Sequence, residues 1–543
     1  MAPLPHSMAR PIRALTALGE AKALFAAGRY DDALRQADET ARGRGAEAVD
    51  AAILAARVEL RRGACDAVVA RLDPIGDSFG AESTIATLRG IAHYRLNNKV
   101  VGIDLIECAR RAATDAETRS EASYYRAWAA YADRDLDVAE KWVVSSLDEA
   151  SGAVYARGLA LSAWISEARE DYIGAKRFHR LALSALRSSS ECDYELTARI
   201  LHALAVFAAE TCDGESADFV RSQASVFIWP ASALDHEFQT KVHLALARVN
   251  YGEIGSALDE FEAAECLAGE RVALKAQVRL EIADLYRLLG EPIAATRSLN
   301  KAAQWLRDAD WKRPDTTDEM ALLESACLAA RLTPSRAAEW IARYSAAPKN
   351  DVGWSPFTGD RRVQALELHA RGIVEAAIGD RGQGVRRLGE AAELWERLGY
   401  RRRAAYAAAD LSAAGLRTAT NRIARLLADS PDHPLVQNPE SSLAESESTV
   451  RTPDCVTLWP SERRVLEALC SGLSVKQMAQ QWGRSEFTIR NHLKRLFSKF
   501  NVRSSAALVA AALRDGLGLM PVDERSEQGD PEIETAESAR ALH

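Results

Sequence analysis

GRSEFTIRNHLK, residues 483–494, places a glycine, a possible helix cap, a buried-type isoleucine and three candidate base-reading side chains within twelve positions. It reads either as a DNA-reading helix or as a basic amphipathic helix late in a long helical protein. Extending the stretch to QMAQQWGRSEFTIRNHL (477–493) decides between them. Ala479 is followed by Gly483 four residues later and by Ile489 ten residues later. That spacing makes a helix-turn-helix: a small residue where two helices cross, glycine in the turn, and a β-branched plug under the second helix. Ser485 stands where an N-cap accepts free amides, and the helix it opens is expected over 486–500. There Ile489, Leu493, Leu496, Phe497 and Phe500 form one apolar stripe at helical spacing. Arg490, Asn491 and Lys494 fall on the opposite side, where Arg or Lys suits guanine and Asn suits adenine in a major groove.

Punctuation around this stretch predicts four helices. Pro460 and Ser461 open the first and Gly472 ends it; the second runs from about Ser474 to Trp482; Asn501 closes the third; the fourth spans Ser504 to Arg514. Charge agrees with the DNA reading. The whole chain carries a net charge of −8, yet between Leu458 and Leu519 ten basic residues stand against four acidic ones. A basic patch inside an acidic protein is the electrostatic footprint of a nucleic-acid reader.

Residues 458–519 resemble the LuxR/FixJ/GerE type of DNA-binding domain. The match rests on Pro460, Glu462, Val465, Leu466, Gly472, Leu473, Ser474, Lys476, Ala479, Ser485, Thr488, Ile489, His492, Leu493, Lys499, Val502, Arg503, Ser504, Leu508 and Val509. The resemblance implies base reading by Arg490, Asn491 and Lys494, and phosphate holding or positioning by Lys476, Ser485, Thr488, Lys499 and Arg503. It also implies a homodimer paired through the last helix, with Leu508, Val509 and Ala512 in the contact, on an inverted-repeat site in double-stranded DNA. RNA polymerase is a further expected partner. The sequence departs from the family pattern at Trp459, Ser461, Trp482, Asn501 and Ser505. Trp482 replaces a smaller aliphatic, and Ser505 an arginine often used near the DNA backbone. An interaction adaptor whose helix-turn-helix no longer reads DNA is therefore the alternative.

Upstream, a turn recurs. AAGRYDDAL (26–34) is echoed by RRGACDAVV, LNNKVVGID, DRDLDVAEK, REDYIGAKR, TCDGESADF, NYGEIGSAL, LGEPIAATR and IGDRGQGVR. Each echo sets a small residue near the start of the next helix: Ala33, Ala67, Gly102, Ala139, Ala175, Ala217, Ala257, Ala295 and Gly384, with Ala338 a weaker member. Two antiparallel helices joined by a tight turn approach most closely there, so a larger side chain would push them apart. The period, from about 34 residues to the mid-forties, is that of helix-hairpin repeats. Gly28, Tyr30 and Ala33 resemble the tetratricopeptide repeat, and the expected fold is nine or ten hairpins in a right-handed solenoid. Trp128, Tyr131, Trp164, Tyr251, Tyr286 and Trp395 read as core. A peptide or protein partner in the concave face is expected, with a small-molecule effector as the alternative. The arginines of RRLGEAAELWERLGYRRRAAY (386–406) read as a solvated helix face.

The fold class is thus all-α: a TPR-like helical-hairpin solenoid over 12–428, an acidic linker over 429–455, the LuxR-type domain over 456–519 and an acidic tail over 520–543. The linker's reach as a coil is roughly 25–30 Å. Eight singly placed cysteines read as small core residues in a reducing compartment. With no secretory signal pattern and no apolar run of membrane length, a cytoplasmic protein without membrane contact is expected. No metal, cofactor or catalytic residue is expected, and His492 reads as structural. There is no Gly-Lys dipeptide for a phosphate loop, no HExxH and no nucleophile elbow. The chain resembles MalT-type regulators, a branch of the LuxR-type family, without their ATPase domain.

Overall fold

Apolar helices alternate with tight turns from Ala17 onward, and each turn reverses the chain so that neighbouring helices bury their apolar sides together. The computed structural model describes residues 16–75, 82–189, 193–308, 316–346, 358–416, 419–437, 460–471, 473–482, 486–500, 502 and 504–514. Two units divide the chain, 1–444 and 445–543, and every regular element among the described residues is helical. None of these helices is long and apolar enough to cross a membrane.

In the first unit α1 (Ala17–Ala26) pairs with α2 (Tyr30–Ala41), α3 (Ala46–Arg61) with α4 (Cys65–Leu72), α5 (Glu82–Arg95) with α6 (Lys99–Ala112), α7 (Ala116–Ala132) with α8 (Leu136–Leu147), and α9 (Gly152–Ala168) with α10 (Tyr172–Ser188). The array continues as α11 (Tyr194–Glu210) with α12 (Gly214–Ala224), α13 (Leu234–Asn250) with α14 (Ile254–Leu267), and α15 (Val272–Leu288) with α16 (Pro292–Asp308). Then come α17 (Thr316–Leu332) with α18 (Ala337–Ala346), α19 (Thr358–Ile378) with α20 (Arg381–Arg397), α21 (Arg401–Ala413) with α22 (Ala419–Leu426), and a single turn, α23 (Pro434–Gln437). That is eleven pairs among the described residues, one more than the upper expectation. The extra pair escaped notice because the fourth residue of α22 is Arg422, so the small-residue mark is missing.

The turn inside each of the first eight helix pairs contains one residue with φ between 56° and 77°. Glycine meets that demand at half of them; Asn97, Arg134, Glu170 and Cys212 take the same left-handed conformation. Aspartates then start several helices: Asp115, Asp135, Asp171, Asp193, Asp213 and Asp380 each accept a backbone N–H three residues on. The small fourth residue of the second helix is buried as its spacing requires at Ala33, Ala139, Ala175, Ala257 and Ala295. Two expectations were one residue out. In α4 the buried position is Val68, with Ala67 half-buried, and in α18 it is Ala337, with Ala338 exposed. Where glycine holds this place the approach is closest: a Cβ on Gly102 would lie 2.6 Å from the Gly90 carbonyl oxygen.

The array winds so that hairpins about five apart meet. A Cβ on Gly28, in the first turn, would lie 2.5 Å from Ser232 Oγ, and one on Gly399 would lie 2.6 Å from Tyr172 Cδ2. Side chains of the later first helices close the interior. Arg402 donates to Glu210 at 2.7 Å across 192 positions. Arg331 donates to Asp410 at 2.6 Å, and His369 Nε2 lies 2.7 Å from the same carboxylate. Arg403 donates to Glu324 at 2.7 Å. Arg402 and Arg403 therefore belong to a buried ion network and not to the solvated face expected for 386–406.

Residues 430–437 also differ from expectation. Ser430, His433 and Leu435 are fully buried, so these residues pack with the first unit and are not part of the linker expected from 429; residues 438–459 lie outside the described residues. A Pro-rich composition concealed side chains that pack into the array, Leu435 in its core and His433 edge-on against Tyr406. Of the cysteines, Cys65, Cys212 and Cys327 are buried as expected, whereas Cys108 and Cys266 are exposed; Cys192 and Cys455 lie outside the described residues.

Candidate nucleic-acid interface

The second unit is built from α24 (Pro460–Cys470), α25 (Val475–Trp482), α26 (Glu486–Lys499) and α27 (Ser505–Arg514). Ser474 opens α25 by reciprocal capping: its Oγ accepts from the Gln477 N–H at 3.3 Å, while the Gln477 side-chain oxygen accepts from the Ser474 N–H at 2.9 Å. Ser504 caps α27 by accepting from the Ala507 N–H at 3.2 Å. The helix α26 starts directly after Ser485, which itself lies outside the described residues, as do Gly472, Gly483, Asn501 and Arg503.

Val465, Leu466, Met478, Ala479, Ile489, Leu493, Leu496 and Leu508 form one core, contributed by all four helices. Ala479 and Ile489, expected as the crossing and plug residues, meet in it. This packing fixes which side of α26 faces out. Ile489 and Leu493 point inward, and Arg490 and Lys494, four residues apart and hence on one side of the helix, are exposed. The side chains of Asn491 and Thr488 lie outside the described residues. Lys476 is exposed at the second position of α25, and Lys499 is half-buried at the end of α26. His492 is buried, in keeping with a structural residue.

Leu508 needs a correction. It is completely buried in the unit's own core, so its side chain is not available to pair with a second copy. Val509 beside it is half-buried, and the Ala512 side chain lies outside the described residues. One contact was missed from the sequence: the Arg464 guanidinium lies 4.7 Å from the centre of the Trp482 ring. The two residues sit on different helices, and no local spacing announces the pair. Trp482 is half-buried against the core, so the large ring is accommodated by packing and a cation over its face.

Residues 457–512 match the model of the family described as bacterial regulatory proteins, luxR family (GerE). A related protein, the probable HTH-type transcriptional regulator GfsR of Streptomyces halstedii, is 35% identical over 69 residues. That stretch covers 13% of this chain and 28% of the relative, so the likeness is of one domain. The C-terminal unit carries a helix-turn-helix domain of the GerE/LuxR family.

Proposed function

We propose that this protein is a sequence-specific, DNA-binding transcriptional regulator. In this reading α26 enters a major groove, and Arg490, Asn491 and Lys494 read base edges. Lys476, Ser485, Thr488, Lys499 and Arg503 hold phosphates and set the register. Two copies pair on an inverted repeat, with Val509 and Ala512 the remaining α27 candidates for the contact, and the repeat array governs pairing through an effector. The observation that carries the reading is the side-chain division of α26: Ile489 and Leu493 hold the helix on its core while Arg490 and Lys494 stay exposed. The adaptor alternative drew on Trp482 and Ser505; the Trp482 ring packs on the unit's core under Arg464, and Ser505 is exposed at the start of α27.

Fluorescence anisotropy with full-length protein tests the assignment. On a bound duplex, Arg490→Ala is expected to cost about 1–3 kcal/mol at one base position. Lys476→Ala should weaken every sequence alike and flatten the salt dependence by about one counterion. Equal losses on bound and random duplexes for Arg490→Ala would remove it from the reading set.

A further inference from the structure

A cavity of about 160 Å³ lies among the first helices of the early hairpins, between α1, α3, α5, α7, α9 and α11. Its lining is rich in cations: Arg57, Arg61, Arg95, Arg157 and Arg199 all border it. Three carboxylates answer them. Glu121 takes Arg57 at 2.7 Å, Asp193 takes Arg61 at 2.9 Å, and Glu195 lies 3.8 Å from Arg61. Arg157 is left with two loose approaches, 3.7 Å each, to Glu121 and Asp193, which already hold other arginines. Arg199 has no carboxylate within ion-pair distance among the described residues. Its guanidinium lies over Trp164, 4.5 Å from the ring centre, and its side chain is exposed to solvent.

The rest of the lining is flat and apolar. Tyr124, Trp128 and Trp164, all half-buried, present rings to the same space. A cavity of about 150 Å³ holds a single benzene ring, so the space suits one ring and its substituent. A peptide threaded along the array is disfavoured at this level. The Arg61–Asp193 contact joins α3 to α11 across 132 positions, so opposite walls already touch.

We propose that this cavity binds a small organic anion, one carboxylate or phosphate on a single flat ring, with Arg157 and Arg199 taking the anion and Trp164 and Tyr124 the ring. The regulatory meaning of the site rests on the function proposed above; its binding chemistry does not.

The test uses full-length protein, titrated with benzoate, phenyl phosphate, the neutral isostere benzamide and inorganic phosphate, and read by calorimetry and tryptophan fluorescence. Benzoate or phenyl phosphate should bind saturably and quench tryptophan, and benzamide should bind about tenfold more weakly or worse, the loss expected for a charged hydrogen bond. Arg199→Gln should weaken the anions by a similar factor without changing the circular dichroism. The benzoate and benzamide comparison needs no variant, so the test survives a folding failure. The proposal is overturned if neither aromatic anion binds, if benzamide binds as well as benzoate, or if Arg199→Gln binds unchanged. Binding of inorganic phosphate as tight as that of phenyl phosphate would overturn the part played by the ring. Duplex binding is measured without these probes, so failure there with retained benzoate binding counts against the DNA reading alone, and the converse against the cavity alone.

Discussion

At the scale of single residues, the close approach of paired helices is carried by positions with little or no side chain. Gly102 illustrates the energetics. An added Cβ would lie 2.6 Å from the Gly90 carbonyl oxygen and 2.7 Å from the Tyr94 nitrogen, both backbone atoms that can move only with their helix. Gly102→Ala is therefore expected to destabilise the array by about 1–3 kcal/mol despite alanine's better helix propensity, the usual cost of overpacking. Urea denaturation checks it; an unchanged or raised midpoint would show that α5 and α6 separate at no cost. This class of residue was legible in the sequence because small residues recur beside a recurring turn. Errors of one position arose at Ala67, because the buried place beside it is held by the larger Val68, and at Ala338, because Ala337 adjoins it, so local pattern alone did not fix the register.

At the scale of elements, caps and turns decide where each helix begins. Asp213 at the start of α12 accepts from the Ser216 N–H at 3.0 Å, the Ser216 hydroxyl at 2.7 Å and the Lys176 ammonium at 2.7 Å. Burial works to raise its carboxyl, but the hydrogen bonds from Lys176 and Ser216 outweigh it and hold the pKa to about 2, against the usual 3.8. A depressed carboxylate contributes stability that is complete above its unfolded pKa and is lost as pH falls through the folded value. Asp213→Ala should cost about 1–2 kcal/mol at neutral pH. Its deficit relative to the parent should persist to about pH 4 and narrow as pH falls toward 2, as read from urea midpoints across that range. A deficit that narrowed already between pH 7 and pH 5 would assign the effect to another group. The elements of the second unit were legible because their evidence is local: Ala479, Gly483 and Ile489 fall within eleven residues, and Ser474 and Ser504 mark the starts of α25 and α27. The Arg464–Trp482 contact was not legible, since it depends on how α24 lies against α25.

At the scale of the whole molecule, side chains far apart in sequence fasten the array to itself. No local period reports that Arg402 on α21 meets Glu210 on α11, which is why a run of arginines read as a solvated face became an interior network. Within that network Glu281 is the ill-matched member. Burial, reinforced by Glu324 and Asp284, raises its carboxyl to about 7, and Arg402 and Arg403, at 4.0 Å and 3.8 Å, are too distant to offset it. A carboxyl raised in the folded state withdraws stability as pH climbs from its unfolded value through the folded one. Glu281→Gln should therefore match the parent near pH 4 and exceed it in thermal midpoint above about pH 8; a variant less stable at both would mean that the ionised form is held after all. The account's central claim concerns the other unit, that α26 reads sequence in duplex DNA. Its most direct test is selection of bound duplexes from a random pool by full-length protein and by the Arg490→Ala, Lys494→Ala double variant in parallel. The account predicts that the parent enriches an inverted repeat and the double variant does not; enrichment of the same repeat by both, or of no sequence by the parent, would contradict it.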